Sequence, residues 1–255
     1  MKIKKIIIFV LILSQIQSLL AIDSALLADK IEVGPGISGR RSVYLNQGAT
    51  AALVPIVIIN YGNFYSEGDK AAYILSDASL GEITFWTEAI ALYRQQGFLD
   101  AKLALSGLND RRNAVELGGA VGIAHENFGI VNLSIAYDVI NTHKGYELAL
   151  KYEAPLVFGD IIIRPVLSIQ SMSINLANYY FAVNHNEVIA GRPAYFIDKA
   201  TNYSIGYDLK YLLDDKWRLT HSVELTRFDS TIYNSPIVDF RTNIQISAAI
   251  VYDFF

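Results

Sequence analysis

The sequence contains no cysteine, which excludes a disulfide framework, a thiolate metal site and a lipid-modified N-terminal Cys. Beyond its first segment it has no long apolar run, so the rest of the chain contains no spanning helix. Positive charge is also short: 21 Lys and Arg stand against 25 Asp and Glu, for a formal charge of −4. That balance argues against nucleic acid as a partner. No Pro-, Ser- or charge-rich linker divides the chain, so one large domain is expected. Mean hydropathy is nevertheless positive, at +0.29, and the apolar residues must be placed somewhere other than a helix through a membrane.

The first segment, MKIKKIIIFVLILSQIQSLLA, has Lys2, Lys4 and Lys5 followed by an apolar run from Ile6 to Leu13. This is the layout of a secretory signal peptide, and its clean apolar run is shorter than the roughly 18 residues of a membrane anchor. Residues 1–21 are read as the signal peptide, with cleavage near Ala21, and 22–255 as the mature domain. Losing three lysines would move the formal charge from −4 to −7. An exported, apolar chain without spanning helices is either a secreted all-β globule or a transmembrane β-barrel.

Period-two alternation dominates the mature chain. Val131, Leu133, Ile135, Tyr137 and Val139 alternate with Asn132, Ser134, Ala136 and Asp138. Tyr203, Ile205, Tyr207, Leu209 and Tyr211 alternate with Asn202, Ser204, Gly206, Asp208 and Lys210. Similar stripes run through 113–124, 145–154 and 216–228. At about 9 to 13 residues these segments exceed the usual globular strand of about five or six and suit a tilted bilayer crossing. Tyrosines near segment ends, with Trp86 and Trp217, read as aromatic girdles. The fold class is therefore all-β, an antiparallel transmembrane β-barrel of the outer-membrane type.

The pattern predicts strands near 31–38, 51–61, 70–77, 81–93, 113–124, 129–140, 145–154, 160–174, 201–211, 216–228 and 240–255. Eleven is odd, and bacterial barrels normally have an even number. The count becomes 10 if part of 22–50 lies outside the barrel wall, or 12 if a strand is hidden in the Gly- and Tyr-rich stretch before Ala71. Counting back from a periplasmic C-terminus places the long connections 94–112, 175–200 and 229–239 on the outer side. The last-but-one of these is rich in aromatics and is either a plug or a contact surface.

No catalytic, cofactor-binding or metal-binding residue emerges. His125, His143, His185 and His221 form no His-x-x-x-His pair, and each reads as an ordinary turn or interface residue. GPGISG at 34–39 lacks the Lys-Ser/Thr and helix of a phosphate loop. Glu116, Asp138, Glu147, Lys151, Glu153, Arg164, Asp208, Lys210, Arg218, Glu224 and Arg241 fall on the polar faces. Charges of both signs in a narrow lumen are expected to pair with one another, not to form a one-signed pore lining. Pro55 and Pro165 interrupt strand patterns and are expected at a bulge or strand end.

Four stretches, VPIVIINYGNF at 54–64, SGLNDRRNAVELG at 106–118, YYFAVNHNEVIAGRPAY at 179–195 and NSPIV at 234–238, resemble the MltA-interacting protein (MipA/OmpV) family of outer-membrane proteins. Tyr180, Phe181, Val183, Gly191, Pro193 and Tyr195 match its loop pattern, and Ala182 stands where glycine is usual. The resemblance implies an outer-membrane barrel, and with no catalytic or ligand residues emerging from the sequence neither enzyme activity nor a cofactor is expected. Its namesake is a scaffold joining a murein lytic transglycosylase to a bifunctional murein synthase, and other members are connected with adhesion, antibiotic sensing and envelope stress. The expected function is a scaffold of the cell envelope, and the alternative is a small-solute outer-membrane channel or surface adhesin. The closing strand, IQISAAIVYDFF, resembles those that the barrel-insertion machinery reads in other outer-membrane barrels, with Tyr252 and Phe254 at the expected spacing. Lipid and that machinery are its other expected partners.

Overall fold

The computed structural model describes residues 29–98, 105–125 and 127–255; the expected signal peptide lies outside them. The strands are β1 (Lys30–Arg41), β2 (Ala49–Tyr61), β3 (Phe64–Glu67), β4 (Lys70–Leu80), β5 (Ile83–Arg94) and β6 (Ala114–His125). They continue as β7 (Gly129–Asp138), β8 (Tyr146–Glu153, resumed at Leu156–Phe158), β9 (Ile161–Met172), β10 (Ala200–Leu212), β11 (Trp217–Arg227) and β12 (Thr242–Asp253). Each pairs antiparallel with its sequence neighbour, and β1 pairs with β12, which closes the sheet into a barrel. Every alternating segment of the sequence becomes a strand because its two faces meet two different solvents.

Those faces are inverted relative to a sandwich. Leu133, Ile135, Leu148, Leu150 and Ile205 are exposed, while Glu116, Glu88 and Asn202 on the opposite parity are buried. A soluble globule would bury the first set; a barrel turns it toward lipid.

The wall has 12 strands because β8 is one strand in two pieces: both pieces pair with β9. The break falls at Ala154-Pro155, beside Pro165 of β9, which has no N–H to offer; Ala154 N–H instead donates to the Pro165 carbonyl at 3.2 Å. The strand the alternation does not reveal is β3. It lies in the Gly- and Tyr-rich stretch before Ala71 and, at four residues, is too short for a periodic pattern. Within 22–50, Lys30–Arg41 is a wall strand, β1.

Gly34-Pro35-Gly36 is a kink in the closure seam, not a ligand loop. The pairing of β1 with β12 passes from Val33↔Tyr252 to Gly36↔Ala249 without Gly34 or Pro35. Pro35 also stands directly opposite Pro55 of β2.

One expected girdle residue is misplaced. Trp86 has the lumen parity of Glu88, and its ring lies over Gly122 of β6, where a Cβ would sit 2.0 Å from the indole. The glycine makes room for the ring, so the side chain turns inward. Trp217 does belong to the girdle: Tyr252 stacks edge-on against it at 5.1 Å, and Phe254 against Tyr252 at 5.1 Å.

Candidate functional site: the filled lumen and its outer cap

The lumen is occupied by tiers of opposite charges. At the inner end Glu32 is fully buried between Arg218 Nε at 3.2 Å, Lys210 Nζ at 3.5 Å and Lys30 Nζ at 3.9 Å, and Arg218 reaches on to Asp253 at 3.0 Å. Above it Arg164 meets Asp208 at 3.0 Å, Glu153 at 3.3 Å and Glu67 at 3.6 Å, with Lys151 3.0 Å from Glu153. Next, Lys70 and the Tyr65 hydroxyl donate to Glu88 at 2.7 and 2.6 Å. Toward the outer end Arg94 joins Glu116 at 2.7 Å and Glu147 at 3.2 Å. His143 completes that tier: Gly145 N–H donates to its Nδ1 at 3.1 Å, which leaves Nε2–H to donate to Glu116 at 2.9 Å.

Each charge reaches the lumen because it occupies the inward parity of its strand. Burying a lone ion costs several kcal/mol, and an opposite charge with good geometry offsets that cost. Glu116, Glu147, Lys151, Glu153, Arg164, Asp208, Lys210 and Arg218 lie in this network as their parity predicts. Asp138 does other work: its carboxylate accepts the N–H groups of Ile140, His143 and Lys144 and holds the 139–145 turn. Glu224 accepts from its own-strand neighbour Thr226, and Arg241 lies 4.7 Å over the Tyr233 ring in an outer connection.

Glu32, Glu67, Lys70, Glu88 and Arg94 were not singled out from the sequence, although each tier contains a contact made by at least one of them. Glu88 and Arg94 share one parity of FWTEAIALYR, so the signal was present. Glu67 and Lys70 flank the turn of the unseen β3.

Across the outer mouth lies an apolar cap. Tyr44, Leu105, Leu108, Tyr180, Phe181, Ile197, Phe228, Ile232 and Ile237, drawn from four separate outer connections, form one buried cluster with Met172 and Ala200 at the strand ends. Its centre is helix α1 (Ile174–Phe181), started by Ser173, whose hydroxyl accepts from Leu176 N–H. A second short helix, α2 (Ser230–Tyr233), is capped by Asp229. The aromatic loop 175–200 is thus the plug of the two alternatives. Tyr180 donates to the Arg112 carbonyl at 2.9 Å and Ser235 to the Phe181 carbonyl, which ties the loops together.

A polar clasp holds the cap's rim. Glu187 accepts from Asn184 N–H at 2.8 Å, Asn109 N–H at 2.9 Å and Arg111 at 3.0 Å, and Arg192 donates to the Glu187 carbonyl. Burial opposes ionisation of Glu187, but the two backbone N–H donors and Arg111 outweigh it and hold the carboxyl below its usual range. A depressed carboxylate contributes stability above its unfolded value of about 4.3 and loses it as pH falls through the lower folded value. Limited proteolysis of the outer loops is therefore expected to accelerate below about pH 4, with Glu187→Gln flattening that dependence; an unchanged profile in the variant would assign the acid sensitivity elsewhere.

The remaining histidines are scattered. His125 sits in an inner turn 3.6 Å from Glu82, His185 packs on Phe196 at 5.4 Å in the cap, and His221 faces lipid against Tyr207 at 5.6 Å. Among the described residues no group of three or more His, Asp or Glu is placed to hold a metal.

The family model for MltA-interacting protein MipA matches residues 33–254. The chain is 31% identical over 196 residues to outer membrane protein Omp26La of Vibrio anguillarum, covering 77% of this chain and 71% of that protein. Outer membrane protein OmpV of Vibrio cholerae matches at the same identity and coverage. The MltA-interacting protein of Escherichia coli is 22% identical over 230 residues, covering 88% of this chain and 90% of that protein.

Proposed function

Because the chain belongs to the MltA-interacting protein MipA family and is an outer-membrane β-barrel, we propose that it serves as a non-enzymatic scaffold of the cell envelope. Its periplasmic partners in this reading are a murein lytic transglycosylase and a bifunctional murein synthase, in keeping with the name of the Escherichia coli relative. The observation that carries the reading is the filled interior. Arg94, Arg164 and Arg218 each sit within 3.6 Å of at least two carboxylates, and the outer mouth lies under the buried cap. A rod so packed offers its rims, not its bore, as working surfaces.

Crosslinked capture from intact envelopes is expected to recover both murein enzymes, and repeated recovery of neither would remove the scaffold reading. Purified protein in a planar bilayer is expected to give no defined conductance steps. Reproducible steps would instead support the small-solute channel.

A further inference from the structure

Among the described residues, the closed sheet has a gap in its wall beside β3. The ladder between β2 and β1 runs from Ala49 to Asn60, but that between β2 and β3 contains only Ile59, Asn60 and Tyr61. Ala49–Ile58 therefore has a strand on one side, and among the described residues none on the other. Above the opening, the Arg40 side chain and the Tyr44 hydroxyl donate to the carbonyls of Gln95 and Gln96, so the rim is bridged while, among the described residues, the strand edge has no partner strand.

The direction of the bare groups follows from two prolines. Pro35 and Pro55 face each other, and neither can donate, so theirs is a non-hydrogen-bonded pair. The carbonyl of Pro55 consequently points away from β1. The two-residue turn at Gly62–Asn63 makes Tyr61 and Phe64 a bonded pair, which gives the same parity. Ala51, Leu53 and Val57 thus present N–H and C=O outward along the edge, and Pro55 presents C=O alone. Leu53 is 86% exposed. Lipid has no group that can satisfy such an edge, and open sheet edges are not stable in hydrocarbon.

We propose that the β2 edge from Ala49 to Ile58 is a docking site for an extended, apolar strand of another polypeptide, added antiparallel to β2. Leu53 and Val57 face lipid while Val54, Ile56 and Ile58 face inward, so the strand that matches is apolar on both faces, unlike the alternating strands of the rest of the wall. Only an extended backbone supplies donors and acceptors at the required spacing. A second copy of this chain does not fit. Two copies inserted the same way are related by rotation about the membrane normal, so their β2 strands run in the same sense and cross at twice the tilt, roughly 70–90°. Pro55 limits promiscuity by removing one donor from the edge.

The test uses purified protein in detergent micelles and a synthetic peptide of ten valine and leucine residues with terminal lysines. Amide exchange at Ala51, Leu53 and Val57 is expected to slow by about tenfold or more on adding the peptide, and Ala52 and Val54, whose N–H groups face β1, are expected not to change. The same peptide fully N-methylated is expected to have no effect. Leu53→Pro removes an edge donor without touching the β1 ladder and is expected to abolish protection while leaving the unboiled-gel mobility intact; Ala51→Pro serves if that variant does not fold. Equal effects of the two peptides would reduce the site to apolar adsorption and overturn the proposal. So would amides already protected without peptide, which would mean the edge is covered by the chain itself. Oxidation of Ala51→Cys in native membranes to a homodimer, readable without interference in a chain with no cysteine, would replace the partner with a second copy.

Discussion

Gly34→Ala is expected to stop the barrel from closing. A Cβ at Gly34 would stand 1.9 Å from the Ile250 carbonyl oxygen of β12 and 2.8 Å from the Val251 Cα. Both are backbone atoms of the strand that pairs with β1, so relief requires the two chain ends to part. The seam already lacks two rungs at Gly34 and Pro35, and the remaining β1–β12 rungs lie on either side of that gap. A steric conflict with no rotamer to relax it belongs among the substitutions that cost more than about 4 kcal/mol. In practice the folded band on an unboiled detergent gel should largely disappear. Gly39→Ala in the same strand is the control, because its Cβ would meet only ordinary contacts, at 3.6 Å from the Thr50 carbonyl oxygen and 3.8 Å from the Ala51 Cβ. Equal folding of the two variants would mean that the kink is not what allows closure.

Arg94→Met should be the most damaging single change in the lumen. Arg94 is the shared counter-ion of Glu116 and Glu147, at 2.7 and 3.2 Å, and Glu116 has no exposure to solvent. Without it two inward carboxylates lose their shared counter-ion, and His143 remains a partner of Glu116. Removing one partner of a buried ion pair costs about 3–5 kcal/mol, because the other charge is left uncompensated. The urea midpoint of refolded protein should fall accordingly. Adding Glu147→Gln to Arg94→Met should recover part of the loss, since one of the two stranded charges is then gone. If the double variant is less stable than the single one, like-charge repulsion is not the cause.

These two sites differ in how visible they were. The glycines of GPGISG stood out as a motif, but their purpose is set by the close approach of β12, more than 200 residues away in sequence. Glu116 and Glu147 were placed in the lumen by alternation, whereas Arg94 closes a strand whose ten-residue apolar-rich pattern drew attention away from its charges. Trp86 shows the limit of composition-based reasoning: tryptophan near a strand end usually marks the membrane interface, but here a glycine on the neighbouring strand offers an inward slot. Helix α1 was hidden because an eight-residue segment that packs mainly on other loops carries no sustained helical period.

Eleven of the 12 strands, the side of the clearly alternating ones that meets lipid, the outer placement of the long connections and the family followed from the amino-acid order alone. They do so because a strand between lipid and a polar lumen must alternate every second residue, and that demand is local. The strand count, the partners of each charge, the cap and the edge that β2 leaves unpaired among the described residues were decided only by the tertiary structure. Each depends on which residues are brought opposite one another when the sheet closes, and a four-residue strand such as β3 leaves too short a trace in sequence to foretell it.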